Sequence, residues 1–316
     1  MNKKKVALIS TGVLGVLSVS ALSIIGNYFY NLALNPKISK DIIFKTPKEA
    51  KSTSGEIINE TLLWLLNNSN YTDSYIESFD KLKLHSYKIL NENPTDNWVI
   101  TVHGYTSKGV DMSNYAMNFY NMGYNILIPD LRGHGESEGT YIGMGWFDRL
   151  DILSWINLII NENKNAKIIL HGVSMGAATV TMASGENLPT NVKAIIADCG
   201  YTSVWNQFSH QLKTIYSLPK FPVMNASSIA IKLKTGYSLK KASSLNQVAK
   251  SKTPILFIHG DKDDFVPYSM MDELYNAASC EKEKLTIKDA GHAKASVVNP
   301  ELYWTTIANF ISKYID

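Results

Sequence analysis

Ser174, Asp263 and His292 follow one another along this chain, and together these residue types can transfer an acyl group. A serine hydroxyl is a weak nucleophile until an imidazole takes its proton, and the imidazole in turn needs a carboxylate to fix its tautomer and stabilise its positive charge. Ser174 stands in His171-Gly172-Val173-Ser174-Met175-Gly176-Ala177, directly after the apolar run KIIL. A strand that ends in GxSxG and turns at once into a helix holds its serine on a strained corner with the hydroxyl exposed. The flanking glycines let neighbouring backbone pass without a Cβ clash. The helix starting at Met175 adds a positive dipole end where negative charge develops. GxSxG alone also describes an ordinary glycine-rich turn, so the reading depends on the base and the acid.

Those partners are sought past other strand ends. PILFIHGDKDDFVP puts Asp261, Asp263 and Asp264 in one loop, and EKLTIKDAGHAKA puts His292 in another. DKDD lacks the glycine and distal glutamate of a calcium loop, so no metal is expected there. Among the seven histidines, His103, His171 and His259 precede a glycine at a strand end, where a ring packs behind a site. His85 and His210 have no such context. His292 alone combines position with the chain order serine, acid, histidine.

The elements that must position these residues are short apolar runs, NWVITVHG, YNILIPD, AKIILHG, VKAIIAD and PILFIHG, preceded by the alternating KLKLHSYKIL. Helical segments separate them: MSNYAMNFYNMG, WFDRLDILSWINLII, MGAATVTMASG, YSMMDELYNAA and PELYWTTIANFISKYI. This alternation predicts an α/β fold, a mostly parallel sheet with helices on both faces and its ligand site at the carboxyl ends of the strands.

From about Lys81 to Ile315 the chain resembles the α/β-hydrolase superfamily: HGYTSKG, PDLRGHGESEG, HGVSMGA, HGDKDDFVP and a GH before the last helix occur in the family's order. It looks like the branch of monoacylglycerol lipases, cinnamoyl esterases and serine-aminopeptidase-like bacterial hydrolases, including those with an N-terminal membrane segment. The resemblance selects Asp263 as the acid through HGxxDxxVP and gives His134 a structural role. It also maps the oxyanion hole onto the backbone N–H groups of Tyr105 and Met175. It implies ester hydrolysis through an acyl-enzyme, with no metal or cofactor. Peptide or amide hydrolysis, or lipid-directed acyl hydrolysis, on the same triad is the alternative. A non-catalytic binding protein is a further one, because fold does not fix function.

The remaining sequence bounds partners and place. With 316 residues, 45% of them hydrophobic, the chain can build one large core. A net charge of +3 is too mild for a nucleic-acid binder. Cys199 and Cys280 fit no metal or redox spacing and are expected to be free thiols. After Lys3-Lys4-Lys5 no charged side chain appears until Lys37. Val6 to about Ile25 is therefore long enough to span a bilayer as a signal anchor, with Tyr28, Phe29 and Tyr30 as an interfacial belt and the catalytic domain outside the cell membrane. Secretion after cleavage near Ser18-Val19-Ser20 is the alternative. The expected organisation is an anchor or signal over 1–36, a linker and docking helix over 37–75, and the hydrolase domain over 76–316. In the docking helix Ile57, Ile58, Leu62, Leu63, Leu65 and Leu66 share a face. A helical cap is expected over about 202–250. Eight lysines and no acid lie between Asp198 and Asp261, so with +3 overall the rest of the chain is at −5. The expected partner is a small-molecule or lipid ester. The membrane is met through the N-terminal segment, and the basic cap can steer the site toward lipids or anionic wall polymers.

Overall fold

The computed structural model describes residues 20–40 and 53–315. Its eight strands are β1 (Thr72–Glu77), β2 (Lys83–Ile89), β3 (Asn97–Val102), β4 (Asn125–Pro129), β5 (Lys167–Val173), β6 (Val192–Asp198), β7 (Ile255–Gly260) and β8 (Lys282–Ile287). They form one sheet in the order β1-β2-β4-β3-β5-β6-β7-β8. β1 and β2 pair antiparallel, as do β2 and β4, and every other pairing is parallel. The polar β1, TDSYIE, has no apolar run to announce it, and it is held by its register with β2.

The parallel strands are buried on both faces, which is why they read as unbroken apolar runs. Successive side chains alternate between two cores: Trp98, Ile100, Ile168, Leu170 and Phe257 belong to one. Val99, Ile169, Ile196 and Leu256 belong to the other. Each fully buried aliphatic side chain contributes about 1.5 to 3 kcal/mol.

Helices complete both layers. Residues 20–34 form α1, followed by α2 (Thr53–Asn67), α3 (Ser113–Asn121), α4 (Asp148–Glu162) and α5 (Met175–Ala183). Between β6 and β7 lie α6 (Val204–Tyr216), α7 (Val223–Thr235) and α8 (Ser244–Val248), where the cap is expected. α9 (Ser269–Ala277), the short α10 (Ala295–Val298) and α11 (Pro300–Ile315) end the chain. Residues of α4, α5 and the cap supply the first core, and residues of α3 and α11 the second.

Two expectations are corrected by packing. In α2, Leu65 is fully buried and Thr61 Oγ1 meets Ser113 Oγ at 3.1 Å, whereas Leu63 and Leu66 are exposed. The docking stripe follows the helical spacing of four from Thr61 to Leu65, and Ser69, just past the helix, is buried beside it.

The larger correction concerns α1. The expected span over 6–25 falls, up to residue 19, outside the described residues, and no described helix is long and apolar enough to cross a membrane. Tyr28, Phe29 and Tyr30 form no belt: Tyr28 is exposed, Tyr30 is buried under Lys234, and Phe29 packs edge-on against Tyr216 with centroids 5.6 Å apart. α1 is an amphipathic helix lying on the cap, and its end is tied to the hydrolase body. Ile142 N–H donates to Leu34 O (2.8 Å) and the Tyr105 hydroxyl to Ala33 O (2.6 Å). A domain boundary at residue 36 therefore cuts through packed structure.

Candidate active site

β3 and β5 are neighbours, but the chain leaves β3 toward one edge of the sheet and β5 toward the other. At such a reversal the loops diverge and leave a crevice above the carboxyl ends. Ser174 occupies this crevice at φ 57° and ψ −115°, a left-handed value unusual outside glycine. Its N–H is anchored on Asp198 O at 2.8 Å. A Cβ on Gly176 would lie 2.0 Å from Val102 O, and one on Gly172 would lie 2.3 Å from Gly176 O. Both glycines are therefore required for the turn to close.

The β7 and β8 loops bring the partners. His292 Nδ1–H donates to Asp263 Oδ2 at 2.7 Å, which leaves Nε2 free to accept from the Ser174 hydroxyl at 2.8 Å. Asp263 Oδ1 accepts from the N–H groups of Phe265 (3.0 Å) and Val266 (2.9 Å). Burial alone would push this carboxyl up, but hydrogen bonds from His259 and His292 outweigh it and bring it down to about 2. Asp263 is thus an anion whenever the protein is folded near neutral pH. Asp261 instead accepts from Asp289 N–H (2.7 Å) and braces the two loops, and His210 donates to Asp264 O at 2.9 Å.

Several supports escaped the sequence reading. His259 Nε2 lies 3.1 Å from Asp263 Oδ2, so it holds the acid as well as packing behind it. Asp198 is buried under the site, accepts from the Tyr303 hydroxyl at 3.0 Å, and is pushed up to about 6 by burial. His85 is fully buried between Asp130 and Asp73, at 2.8 and 3.1 Å. Asp130 also accepts from Gly109 N–H at 2.6 Å, which fixes the loop after β3. A histidine inside an alternating strand and an acid at a strand end were the available signals, and only folding joins them.

His103 and His134 hold backbone, and His171 bridges Thr101 Oγ1 (2.8 Å) and the Tyr303 hydroxyl (3.3 Å). His103 Nδ1–H donates to Gly104 O (2.8 Å) and its Nε2 accepts from Leu131 N–H (3.0 Å). Burial keeps His103 below the ordinary imidazole range and lowers His134 and His171 to about 3, so all three are neutral packing groups. Cys199, Asp263 and His292 place their ligand-type atoms within 4.8 Å of one another. Burial holds the Cys199 thiol protonated, and the His292–Asp263 hydrogen bond uses the other two, so the cluster suits proton transfer better than metal binding.

Two cavities meet at Ser174. One, of about 790 Å³ including its mouth, is almost wholly apolar and is walled by α1, α6 and α7. The other, about 1000 Å³ with its mouth, lies beside His292 and carries Ser107, Asp111, Asn114, Lys294 and Ser296. Tyr105 and Met175 line the apolar cavity next to Ser174, and Met175 is the first residue of α5, whose early N–H groups have no partner within the helix.

The fold is that of an esterase from Pyrococcus furiosus, with TM-score 0.65 and 22% identity over 86% of this chain and 97% of that one. Residues 93–224 match the family described as serine aminopeptidase, S33. An uncharacterized protein of Bacillus subtilis, YqkD, is 30% identical over 223 residues, covering 70% of this chain and 73% of that protein. The chain belongs to the α/β-hydrolase superfamily, and it is a hydrolase. Among its relatives is the rat lysophosphatidylserine lipase ABHD12, 27% identical over 57% of this chain and 45% of that protein.

Proposed function

We propose that the protein is a serine esterase for carboxylic esters with an apolar acyl group. The observation that carries this is the continuous hydrogen-bonded path from Ser174 Oγ through His292 to Asp263, set at the junction of an apolar and a polar cavity. In this reading Ser174 Oγ attacks the ester carbonyl while His292 Nε2 takes its proton. The ionised Asp263 stabilises the imidazolium, and the Tyr105 and Met175 N–H groups receive the oxyanion. His292 then gives the proton to the leaving alcohol, and a water activated by the same nitrogen releases the acid. The acyl chain lies in the apolar cavity and the alcohol on the polar side.

An aminopeptidase would need a carboxylate for the substrate's ammonium group. Asp111, the acid lining the polar cavity, already accepts from Ser107 Oγ (2.9 Å) and Lys108 N–H (3.0 Å), which favours the ester. Hydrolysis of p-nitrophenyl acyl esters by the full chain, with Ser174→Ala as control, tests the reading. Serine-dependent turnover and fluorophosphonate labelling of Ser174 are expected, and the absence of both would overturn it.

The same reading places the enzyme at a membrane, anchored by its N-terminal segment with the catalytic domain outside. Ile24, Tyr28, Phe221, Ile229 and Leu233 are exposed on α1 and the cap, among Lys213, Lys220 and Lys232. Lys234, Lys240 and Lys241 lie over the rings of Tyr30, Trp205 and Trp146 and stay exposed, so their charge adds to that of the cap surface. Each lysine near an anionic surface contributes about 1 kcal/mol. Phosphatidylglycerol-vesicle binding by the protein lacking residues 1–19 that is unchanged in Phe221→Ser/Leu233→Ser would refute the cap's part in this placement, and full-chain binding no tighter than that of the shortened protein would refute the anchor.

A further inference from the structure

Helix α1 enters the sequence as the tail of an apolar anchor, yet one of its faces is inside the hydrolase. Gly26 marks its closest approach to the cap: a Cβ there would lie 2.6 Å from Ala226 O and 3.0 Å from Ala230 Cβ. α1 therefore sits on α7 with no side chain between the backbones at this point. One turn on, Phe29 packs against Tyr216 of α6. One further turn brings Ala33, whose carbonyl accepts from the Tyr105 hydroxyl, and Leu34, whose carbonyl accepts from Ile142 N–H. Lys40 Nζ donates to Asn35 O at 2.7 Å, placing a cation at the negative end of the helix.

Phe29, Leu32 and Ala33 all line the apolar cavity that contains Ser174. Residues 29 and 33 are four apart and share a face, about 6 Å apart along the axis. Ala33 is tied through its carbonyl to the hydroxyl of Tyr105, the residue after His103-Gly104, and Phe29 lies one turn nearer the start of α1, against Tyr216 of α6. A small side chain leaves width next to the reacting carbonyl, and a large ring narrows the cavity beyond it.

We propose that α1 is the wall of the acyl pocket that sets chain length, with Ala33 admitting the proximal carbons and Phe29 limiting how far the chain extends. This rests on the esterase reading and deepens it: the substrate acyl group is a linear apolar chain lying along α1, between it and α6. The segment N-terminal to the hydrolase motifs thereby becomes a specificity element, and a protein cut at residue 36 has lost one side of its pocket.

The test is the acyl-length profile of kcat/KM, from acetyl to hexadecanoyl p-nitrophenyl esters, measured on the full chain and on Phe29→Ala, Ala33→Phe and Gly26→Val. Phe29→Ala should move the optimum to longer chains, with the long-to-short ratio rising at least about tenfold, the scale of a single methylene in an apolar pocket. Ala33→Phe should depress all but the shortest esters while fluorophosphonate labelling of Ser174 persists. Gly26→Val, which wedges α1 away from α7, should flatten the profile. Calorimetric binding of dodecanoate gives a readout without turnover: Ala33→Phe should abolish it. A wild-type protein that neither turns over esters nor labels would refute the esterase reading alone, and dodecanoate binding would still decide the role of α1. If the folded variants, judged by their melting transitions, keep the wild-type profile and bind dodecanoate normally, the proposal is overturned.

Discussion

The two flanks of Ser174 are built in different ways. The polar flank, with His292 and the loop after β3, comes from turns that follow strand ends directly, each a few residues from its strand. The apolar flank joins α1 to α6 and α7, segments some 180 residues apart that lie on no strand of the sheet. In the proposed esterase, chemistry depends on short connections to a rigid sheet, whereas substrate fit depends on helices laid over it. The first kind of structure leaves motifs in a sequence, and the second leaves only apolar residues.

Substitutions that act on one flank and spare the other make this contrast testable. The largest effect is expected for Asp263→Asn, which takes away the carboxylate that orients His292. kcat should fall about 10³- to 10⁴-fold, equally for every acyl length. A change in the length profile would mean that the flanks are not separable. Gly176→Ala acts on the hinge between them, where a Cβ would lie 2.0 Å from Val102 O. A loss of about 3 kcal/mol or more is expected from urea unfolding, on the scale of severe overpacking.

A pH experiment isolates the polar flank. Asp263, at about 2 when folded, lies below the ordinary aspartate value near 3.9. A depressed acid contributes stability that is present above its unfolded pKa and is lost as pH falls through the folded one. The stability difference between wild type and Asp263→Asn should therefore shrink by about 2 kcal/mol between pH 5 and pH 2. A constant difference would show that His259 and His292 do not hold the carboxylate as described. The smallest effect is expected for Val297→Trp, at an exposed position lining the polar cavity. It should change the preference between glyceryl and p-nitrophenyl leaving groups by about tenfold and leave the acyl-length optimum in place.

Ser174 and His292 were legible through strand-end turns in the right chain order, and Asp263 through the family pattern that picks it from three neighbouring aspartates. The structure brings the side chains of Ser174, His292 and Asp263 within hydrogen-bonding distance. The α/β architecture was legible because strands buried on both faces read as apolar runs between helical periods. β1 was missed because an edge strand held by backbone register needs no apolar signature. His259 and Asp198 were not singled out as supports because burial beneath a site shows only when strands β6 and β7 lie side by side.

At the N-terminal helix composition left the partner open. An uninterrupted uncharged stretch describes a membrane span, a buried helix and a pocket wall equally well, because hydropathy records that a side chain avoids water and not what it meets instead. The sequence by itself determined the turns that carry Ser174 and His292, their chain order and the sheet beneath them, since these follow from local turns and periodicity, and the family resemblance chose Asp263. Only the tertiary structure decided that Gly26 touches the cap, that Phe29 and Ala33 face Ser174's cavity, and that α1 belongs to the hydrolase body, because these are contacts between segments whose partners are fixed by packing.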